Sequence, residues 1–301
     1  MKRIDITVQQ IPDDNRLDKA IPLHEKDLSR SFARKLIEGG AVYLNGKRCQ
    51  QNGRTVRVGD KISVMVPGDE ERQSTELSDK DIIFEDDDLI VVNKPAGLPT
   101  HATIDSSRFH LVEAVQQYLA KKQKKKPGDI YLGIHHRLDR DTSGAILFTK
   151  RKEANPRIAQ AFQERNVSKE YLAICFGRPR EQIFEIKTFL GPHPKNKRKM
   201  ASVRSGGKVA ETSVEAIATK TIQGKSITLV RARPKTGRMH QIRVHLAEHG
   251  LPILGDEMYG IRFPGVERTL LHAFRLQIGD QSFSAPFPKD FQSLDFSLPE
   301  D

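Results

Sequence analysis

The most informative part of this sequence is His136-Arg137-Leu138-Asp139-Arg140-Asp141-Thr142-Ser143-Gly144. It combines two carboxylates, two guanidiniums and an imidazole with a Thr-Ser-Gly turn signal, and the apolar run 145–148 follows at once. The apolar run predicts a buried strand, and the glycine before it predicts a turn. A polar loop held against a buried strand is a common place for catalytic side chains.

The carboxylates of this loop are its first candidates for chemistry. Asp139 lies between Arg137 and Arg140 in the sequence, and a neighbouring guanidinium favours the ionised form of a carboxylate. An ionised carboxylate can act as a nucleophile, a general base or a metal ligand. Asp141 is the competing candidate. Ser143 is read as part of the turn, because no G-x-S-x-G elbow is present to activate it.

The sequence predicts no metal site and no cofactor. The histidine pair His135-His136 is the one feature that suggests a metal. Adjacent residues of a strand face opposite sides, so the two rings are not expected to reach one ion. No carboxylate or cysteine pattern with ligand spacing surrounds them.

A second polar cluster lies in residues 237–246. Met239, Ile242 and Leu246 recur at helical spacing, which predicts a helix that buries this stripe. His240 and Arg243 are three residues apart, so we expect them to share one side of the helix and to point into a cleft.

Charge divides the chain. The net charge is +11 and the pI about 9.6, which favours a polyanionic partner. Residues 15–66 carry eleven basic and five acidic residues, whereas residues 69–88 carry ten acidic and two basic ones. Pro67-Gly68 stands at this change of sign. We therefore predict a domain over 1–66, an acidic linker over 67–80 and a larger domain over 81–301.

The two predicted domains differ in their patterns. In the first, a helix begins at 27–31 and ends at Gly39-Gly40, a strand covers 41–44, and Asn45-Gly46 marks a hairpin turn. The second alternates apolar strands with hairpin signals and a few helices. That pattern predicts an α+β fold built on a largely antiparallel, mixed sheet. The basic runs 121–126 and 193–199 add to a predicted phosphate-contacting surface.

The first block resembles the alpha-L RNA-binding module. The resemblance rests on Arg16-Leu17-Asp18, Leu28-Ser29-Arg30-Ser31, Gly40-Ala41-Val42, Asn45-Gly46 and Val58-Gly59-Asp60. It implies RNA contacts from the basic residues of the helix and the hairpin. The candidates are Arg30, Arg34, Lys35, Lys47 and Arg48.

The larger domain resembles the pseudouridine synthases of the RluA branch, over nearly its whole length. Four motifs occur in the family's order: Asn93-Lys94-Pro95, His136-Arg137-Leu138-Asp139, Lys169-Glu170-Tyr171 and Gly237–His245 continuing to Gly255-Asp256. Met239 departs from the small polar residue usual in the family, and a second histidine before His136 is also unusual.

The resemblance implies that a uridine within RNA is isomerised to pseudouridine, with the target nucleotide turned out of its stack. It implies that Asp139 is the essential carboxylate, acting on the sugar or on the base, and that Arg243 pairs with it. Tyr171 would stack on the uracil and assist proton removal from carbon 5. The substrate-binding residues would be Arg137, which fills the vacated space, Ile242, which forms an apolar wall, and His240, Asn93 and Lys94.

Two other functional classes remain open at this point. One is a non-catalytic RNA-binding ribosome-assembly factor on the same scaffold, and the other is a hydrolase that uses Asp139 or Asp141. Large-subunit ribosomal RNA is the favoured substrate, with transfer RNA as the alternative. Because the sequence contains no membrane-spanning apolar run and no signal peptide, we expect a cytoplasmic protein without membrane contacts. We also expect a monomer.

Overall fold

In the computed structural model, residues 2–66, 75–101, 109–164 and 166–298 can be described. They divide into two compact units, one of residues 1–76 and 99–121 and one of residues 77–98 and 122–301. The segment 99–121 thus groups with the N-terminal unit, although it lies within the predicted domain 81–301. The first part of the predicted linker, 67–74, lies outside the described residues.

The first unit contains a small antiparallel sheet with strand order β1-β4-β2-β3. Its strands are β1 (Lys2–Thr7), β2 (Val42–Leu44), β3 (Lys47–Cys49) and β4 (Lys61–Val66). Its helices are α1 (Leu17–His24) and α2 (Arg30–Glu38), and most of α3 (Leu111–Gln123) belongs to it too. The helices and the sheet share one apolar core, in which Leu17, Ile21, Leu36 and Ile62 are fully buried.

The local signals of this unit form as predicted. Ser29 caps α2 by accepting a hydrogen bond from the Phe32 amide at 3.3 Å, which satisfies a donor that the first helical turn leaves open. Asn45 and Gly46 both have positive φ, of 50° and 76°, the geometry of the two-residue hairpin turn. The helix and the hairpin predicted from the sequence are confirmed.

The second unit is built on an eleven-stranded sheet with the order β11-β10-β12-β13-β9-β14-β8-β6-β5. The short strands β7 and β15 pair with β8 and β14. The first strands are β5 (Ile82–Glu85), β6 (Leu89–Lys94), β7 (Gly133–Ile134), β8 (Ser143–Thr149) and β9 (Val167–Phe176). The remaining strands are β10 (Ile183–His193), β11 (Asn196–Ser202), β12 (Lys208–Ile222), β13 (Lys225–Pro234), β14 (Leu271–Ile278) and β15 (Gln281–Ser284).

Three helices belong to this unit: α4 (Asn155–Gln163), α5 (Gln241–Glu248) and α6 (Lys289–Gln292). All strand pairs are antiparallel except β8 with β14, so the α+β class with a largely antiparallel, mixed sheet is confirmed. No helix among the described residues is long and apolar enough to cross a bilayer.

The parallel pair of strands positions the site. Ser143 and Gly144, at the start of β8, lie opposite His272 and Ala273 of β14. On the other side of β14, Ala273 faces Tyr171 of β9. Since neighbouring strands lie about 4.8 Å apart, the polar loop before β8 and Tyr171 are separated by the width of a single strand.

Candidate active site

The loop of residues 135–142 is anchored at both of its ends. Leu138 is buried, and the Thr142 amide donates to the Asp139 carbonyl at 3.2 Å, which turns the chain back into β8. Gly144 has φ +113°, and a Cβ there would lie 2.2 Å from the Ala273 carbonyl oxygen. Only glycine fits this close approach of β8 to β14, so the turn that follows Asp139 is fixed by Gly144.

Lys94 ties a second loop to this one. Its ammonium is fully buried and donates to the carbonyls of Pro95, Leu98 and Arg140 at 2.9, 2.8 and 2.8 Å. Burial lowers the pKa of Lys94 to about 7, but only the protonated form has three protons for three acceptors. With every donor used, Lys94 has none left for a substrate. We therefore expect it to position the loop, in place of the substrate contact that the sequence predicted.

Arg243 connects two carboxylates below the loop. Its Nη1 donates to Asp139 Oδ2 at 3.0 Å, and its Nε and Nη2 donate to the two oxygens of Asp256 at 2.7 and 2.8 Å. Arg243 is 7% exposed. Burial opposes the charge, but the pairs with Asp256 and Asp139 outweigh it and raise the pKa of Arg243. Asp139 and Arg243, predicted as a pair, are thus in contact.

Asp256 is the side chain that orients Arg243. It is 1% exposed, and its Oδ1 also accepts hydrogen bonds from the amides of Met258 and Tyr259 at 2.9 and 3.1 Å. Burial alone would raise the pKa of Asp256, but the hydrogen bonds and the charge of Arg243 hold it below its usual value. A permanently ionised carboxylate therefore fixes the plane of the guanidinium.

Tyr259 and His240 complete the surroundings of Asp139. The Tyr259 hydroxyl accepts from the Met200 amide at 2.7 Å and lies 2.8 Å from His240 Nδ1. His240 Nε2 lies 3.9 Å from Asp139 Oδ2. Burial lowers the pKa of His240. If the Tyr259 hydroxyl donates its hydrogen bond to Nδ1, the neutral His240 ring carries its single proton on Nε2, on the side of Asp139.

The helix that carries Arg243 begins later than the sequence predicted. α5 starts at Gln241, because His240 has a left-handed backbone with φ 56°. Met239 is 41% exposed, so its place in a buried helical stripe is wrong. His240 is not part of the helix, yet its ring and Arg243 do approach the same carboxylate. Ile242 is buried in the main core, against which Tyr171 packs.

Tyr171 faces the same site from the sheet. It is half-buried. Burial raises the pKa of its phenol, and the negative charge of Asp139 raises it further. A raised pKa disfavours the phenolate at neutral pH. Tyr171 is therefore better suited to stack on a base than to accept a proton as a phenolate.

The structure separates the two candidate aspartates. Asp141 forms a two-pronged pair with its neighbour Arg140, at 2.9 and 3.1 Å, and both side chains are substantially exposed. Asp139, by contrast, meets the buried Arg243 and keeps 22% of its side chain exposed. Asp139 is therefore the carboxylate that is both hydrogen-bonded to a buried arginine and accessible to a ligand.

The remaining predicted contacts lie around this centre. Arg137 is exposed, and its charge helps to lower the pKa of His240, after burial and the charge of Arg243. Asn93 is half-buried and pairs through its backbone with Ala145 of β8. These positions place Arg137 at the rim and Asn93 in the sheet behind the loop.

The histidine pair does not behave as a strand would dictate. β7 ends at Ile134, and the rings of His135 and His136 both stack on Phe162, at 6.3 and 5.1 Å. The expectation that they face opposite sides is wrong for this reason. Their nitrogens have separate partners, since His136 Nε2 accepts from the Leu147 amide at 3.0 Å and His135 Nε2 meets Thr149 at 3.1 Å. No group of three metal-ligating side chains occurs among the described residues.

A cavity of about 500 Å³ opens beside the loop 135–142. Arg140, Asp141, Glu257 and Arg268 are among its lining residues, but Asp139 and Tyr171 are not. The hydrogen-bonded cluster around Arg243 is the better guide to the chemistry, because it joins charged side chains from three separate segments at one exposed carboxylate. The cavity extends the same surface along the loop.

The predicted RNA-binding residues of the first unit differ in how they are held. Arg30 donates twice to the buried Asp18, at 3.1 and 3.2 Å, so part of its charge is matched within the unit. Lys35 pairs with Glu113 at 3.2 Å, and Arg48 donates to the Gly40 carbonyl at 2.6 Å. Arg34 and Lys47 are exposed. Of the five, these two offer the most accessible charge.

Asp256 and Tyr259 are the site residues that sequence reasoning did not assign. Asp256 belongs to the late motif noted above, at Gly255-Asp256, and Tyr259 follows shortly after it, but no role was attached to either residue. Asp256 follows a glycine with φ +74° whose Cβ would lie 2.0 Å from the Arg268 carbonyl. The Gly255-Asp256 pair was the available signal in the sequence, because a glycine beside an acidic residue is typical of a tightly packed turn.

Comparison with known proteins identifies the family of the chain. The family model described as RNA pseudouridylate synthase matches residues 88–248, and the S4 domain model matches residues 16–62. An uncharacterized RNA pseudouridine synthase of Aquifex aeolicus is 36% identical over 86% of this chain and 81% of its own length. The ribosomal large subunit pseudouridine synthase D of Vibrio parahaemolyticus is 32% identical over 95% and 91%.

Solved structures give the same result for the fold. Human RNA pseudouridylate synthase domain containing 1 is 28% identical, with a TM-score of 0.59 over 79% of this chain and 94% of its own. Human RNA pseudouridylate synthase domain containing 4 is 26% identical, with the same TM-score, over 73% and 94%. The chain therefore belongs to the RNA pseudouridine synthases of the RluA type and carries an N-terminal S4 RNA-binding domain.

Proposed function

We propose that this isomerase modifies uridine in large-subunit ribosomal RNA and that Asp139 is its catalytic carboxylate. The observation that carries the proposal is the contact of the partly exposed Asp139 with the buried Arg243. The choice of RNA is supported by relatives named ribosomal large subunit pseudouridine synthase D, which are 32% and 33% identical. The net charge of +11 suits a polyanionic substrate.

The reaction exchanges one bond for another. The bond from uracil N1 to the sugar C1′ breaks, and a bond from C5 to C1′ forms. The proton on C5 leaves and N1 gains one, so atoms and electrons balance without an added reactant. Asp139, held by Arg243 on one side and open on the other, is placed to meet C1′ or the base. Ion pairing in a site partly screened from water strengthens such a contact.

The surrounding residues receive supporting roles in this proposal. Tyr171 stacks on the uracil, because its half-buried aromatic ring offers an apolar face to the base. The buried Ile242 supports the apolar side of the pocket. Arg137, exposed at the rim, fills the space left in the RNA when the nucleotide turns outwards. Extrusion of this kind is how enzymes reach a base inside folded nucleic acid.

The test is to map pseudouridines in ribosomal and transfer RNA from a strain that lacks this protein. We expect one or more large-subunit pseudouridines to disappear and to return with the wild-type chain but not with Asp139→Asn. Loss confined to transfer RNA would refute the proposed substrate while leaving the chemistry intact. Restoration by Asp139→Asn would refute the catalytic assignment.

A further inference from the structure

A small basic cavity lies beside Tyr171, outside the cluster around Arg243. It has a volume of about 190 Å³ and opens between the end of α4 and the chain that follows β13. Lys169, Lys235 and Arg238 are its charged lining residues, together with the ring of Phe162 and the side-chain-free Gly237. No acidic side chain from the described part of the chain lines it. A concave site lined by cations alone among its charged groups suits an anion.

Lys169 stands closest to the reaction. It lies two residues before Tyr171 on β9, so both side chains project from the same face of the strand, about 7 Å apart along it. Its ammonium lies 5.2 Å from the centroid of the Phe162 ring. Lys169 is half-buried and forms no ion pair with any acid in the described part of the chain. Burial alone lowers its pKa.

The opposite face of the same strands shows the contrast. There Arg231 and Arg233 each pair with Glu170 and with Glu215, at 3.0–3.3 Å. Each of these arginines therefore has two carboxylates within reach. Lys169, one residue from Glu170 and pointing away from it, has none. A partly desolvated cation without a counter-charge is costly to the protein by itself, and an incoming anion would remove that cost.

The neighbours of Lys169 are arranged for such an anion. Arg238 donates from Nε to the Val209 carbonyl at 3.0 Å, which fixes the guanidinium while its two terminal nitrogens make no hydrogen bond to a described residue. A Cβ at Gly237 would lie 3.8 Å from the Lys169 ammonium, so glycine leaves the approach open. Lys235 pairs with Glu185 at 2.6 Å and adds charge only at the edge.

We propose that Lys169 and Arg238 bind a backbone phosphate of the RNA next to the nucleotide that enters the active site. A phosphate fits because its oxygens accept from both an ammonium and a guanidinium, and because the backbone of RNA carries a phosphodiester group between every two nucleosides. The contact fixes the backbone within one nucleotide of Tyr171. This subsite rests on the proposed function only for the identity of the RNA.

The experiment compares salt dependence of binding for matched lysine variants. Lys169→Met removes the charge, Lys169→Arg keeps it, and Lys225→Met is the control. Lys225 is exposed at the start of β13 and also lies over an aromatic ring, Phe263, at 6.0 Å. Binding of an unmodified large-subunit ribosomal RNA transcript is measured by filter retention over a series of KCl concentrations.

We expect Lys169→Met to flatten the plot of log affinity against log salt by about 0.7–0.9, the contribution of one phosphate contact. Lys169→Arg and Lys225→Met should keep the wild-type slope. A wild-type slope in Lys169→Met would overturn the proposal. Thermal unfolding checks the fold, and Lys169→Gln replaces Lys169→Met if that variant unfolds early, with the same expected slope.

Pseudouridine formation on the same transcript separates this proposal from the choice of substrate. If the wild-type chain makes no pseudouridine there, the proposed RNA is wrong, while the binding slopes still judge Lys169 on their own. If the wild-type chain is active, Lys169→Met should raise KM by about tenfold with little change in kcat, because a phosphate contact is equal in ground and transition states. A fall in kcat alone would contradict the phosphate role.

Discussion

Arg243 gives two of its three guanidinium nitrogens to Asp256 and one to Asp139. Asp256 is 1% exposed and also accepts hydrogen bonds from two backbone amides. Its position is therefore fixed, and it fixes the orientation of Arg243. Asp139 Oδ2 takes the third nitrogen at 3.0 Å. The carboxylate that we propose as catalytic, Asp139, is therefore positioned by a guanidinium whose own orientation is set by Asp256.

Asp256→Asn should damage both stability and activity. The amide leaves the buried Arg243 without its main counter-charge, and breaking a buried pair in this way costs about 3–5 kcal/mol. Urea unfolding measures the loss. The control is Asp290→Asn, whose more exposed carboxylate pairs with Arg268 and should cost about 1 kcal/mol or less. Equal losses in the two variants would show that Asp256 has no special role.

Tyr259→Phe tests the hydrogen bonds around His240. The change removes the partner of the Met200 amide and of His240 Nδ1, which should cost about 1–3 kcal/mol and lower kcat. Tyr131→Phe is the control, because the Tyr131 hydroxyl accepts from Asn155 away from Asp139. If both variants keep wild-type kcat, the orientation of His240 does not matter for catalysis.

Gly144→Ala should disrupt the loop more than its positive φ alone explains. Its new Cβ would meet the Ala273 carbonyl at 2.2 Å, so strands β8 and β14 must separate. Gly224→Ala has a similar backbone, with φ +71°, but open space around it, and should cost only about 1–2 kcal/mol of strain. A Gly144→Ala variant as stable and active as Gly224→Ala would contradict this packing.

Acid pH should destabilise the protein partly through His136. Burial lowers the pKa of His136 to about 3, and its Nε2 must stay unprotonated to accept from Leu147. The unfolded chain binds this proton from about pH 6.5 downwards. The free energy of unfolding therefore falls between pH 6.5 and pH 3, by on the order of a few kcal/mol from this group.

His136→Gln isolates that contribution, since the Gln side-chain oxygen can accept from Leu147 but does not titrate. Its unfolding free energy should depend less steeply on pH between 6.5 and 3, with the wild-type dependence above pH 7. Denaturant unfolding at a series of pH values measures both slopes. Parallel curves for the two proteins would remove His136 from the acid response.

Much of the fold could be predicted because its signals are local. Ser29, Asn45-Gly46 and the apolar runs of β6 and β8 each depend on a few adjacent residues, and the structure forms them in place. The start of α5 could not be predicted in this way. Met239 looks helical by spacing, but the next residue, His240, has a left-handed backbone. The ring of His240 also contacts Tyr259, which is distant in sequence, and residue spacing shows neither feature.

The candidate site shows the same division. Asp139, Tyr171 and Arg243 were predicted from a family resemblance, and the structure brings Asp139 and Arg243 into contact. The sequence could not show that Lys94 is buried, because its three carbonyl partners come from two loops. Nor could it show that Lys169 lacks an acidic partner, since that depends on which face of β9 each side chain takes.

Pseudouridine formation by Asp139→Asn shows directly whether Asp139 is the catalytic carboxylate. Asn keeps the shape of the side chain and leaves the Arg243–Asp256 pair in place, so we expect a folded protein that still binds large-subunit ribosomal RNA. Its rate of tritium release from uridine labelled at carbon 5 should fall by about a thousandfold or more. A rate within about tenfold of the wild type would contradict the assignment of Asp139.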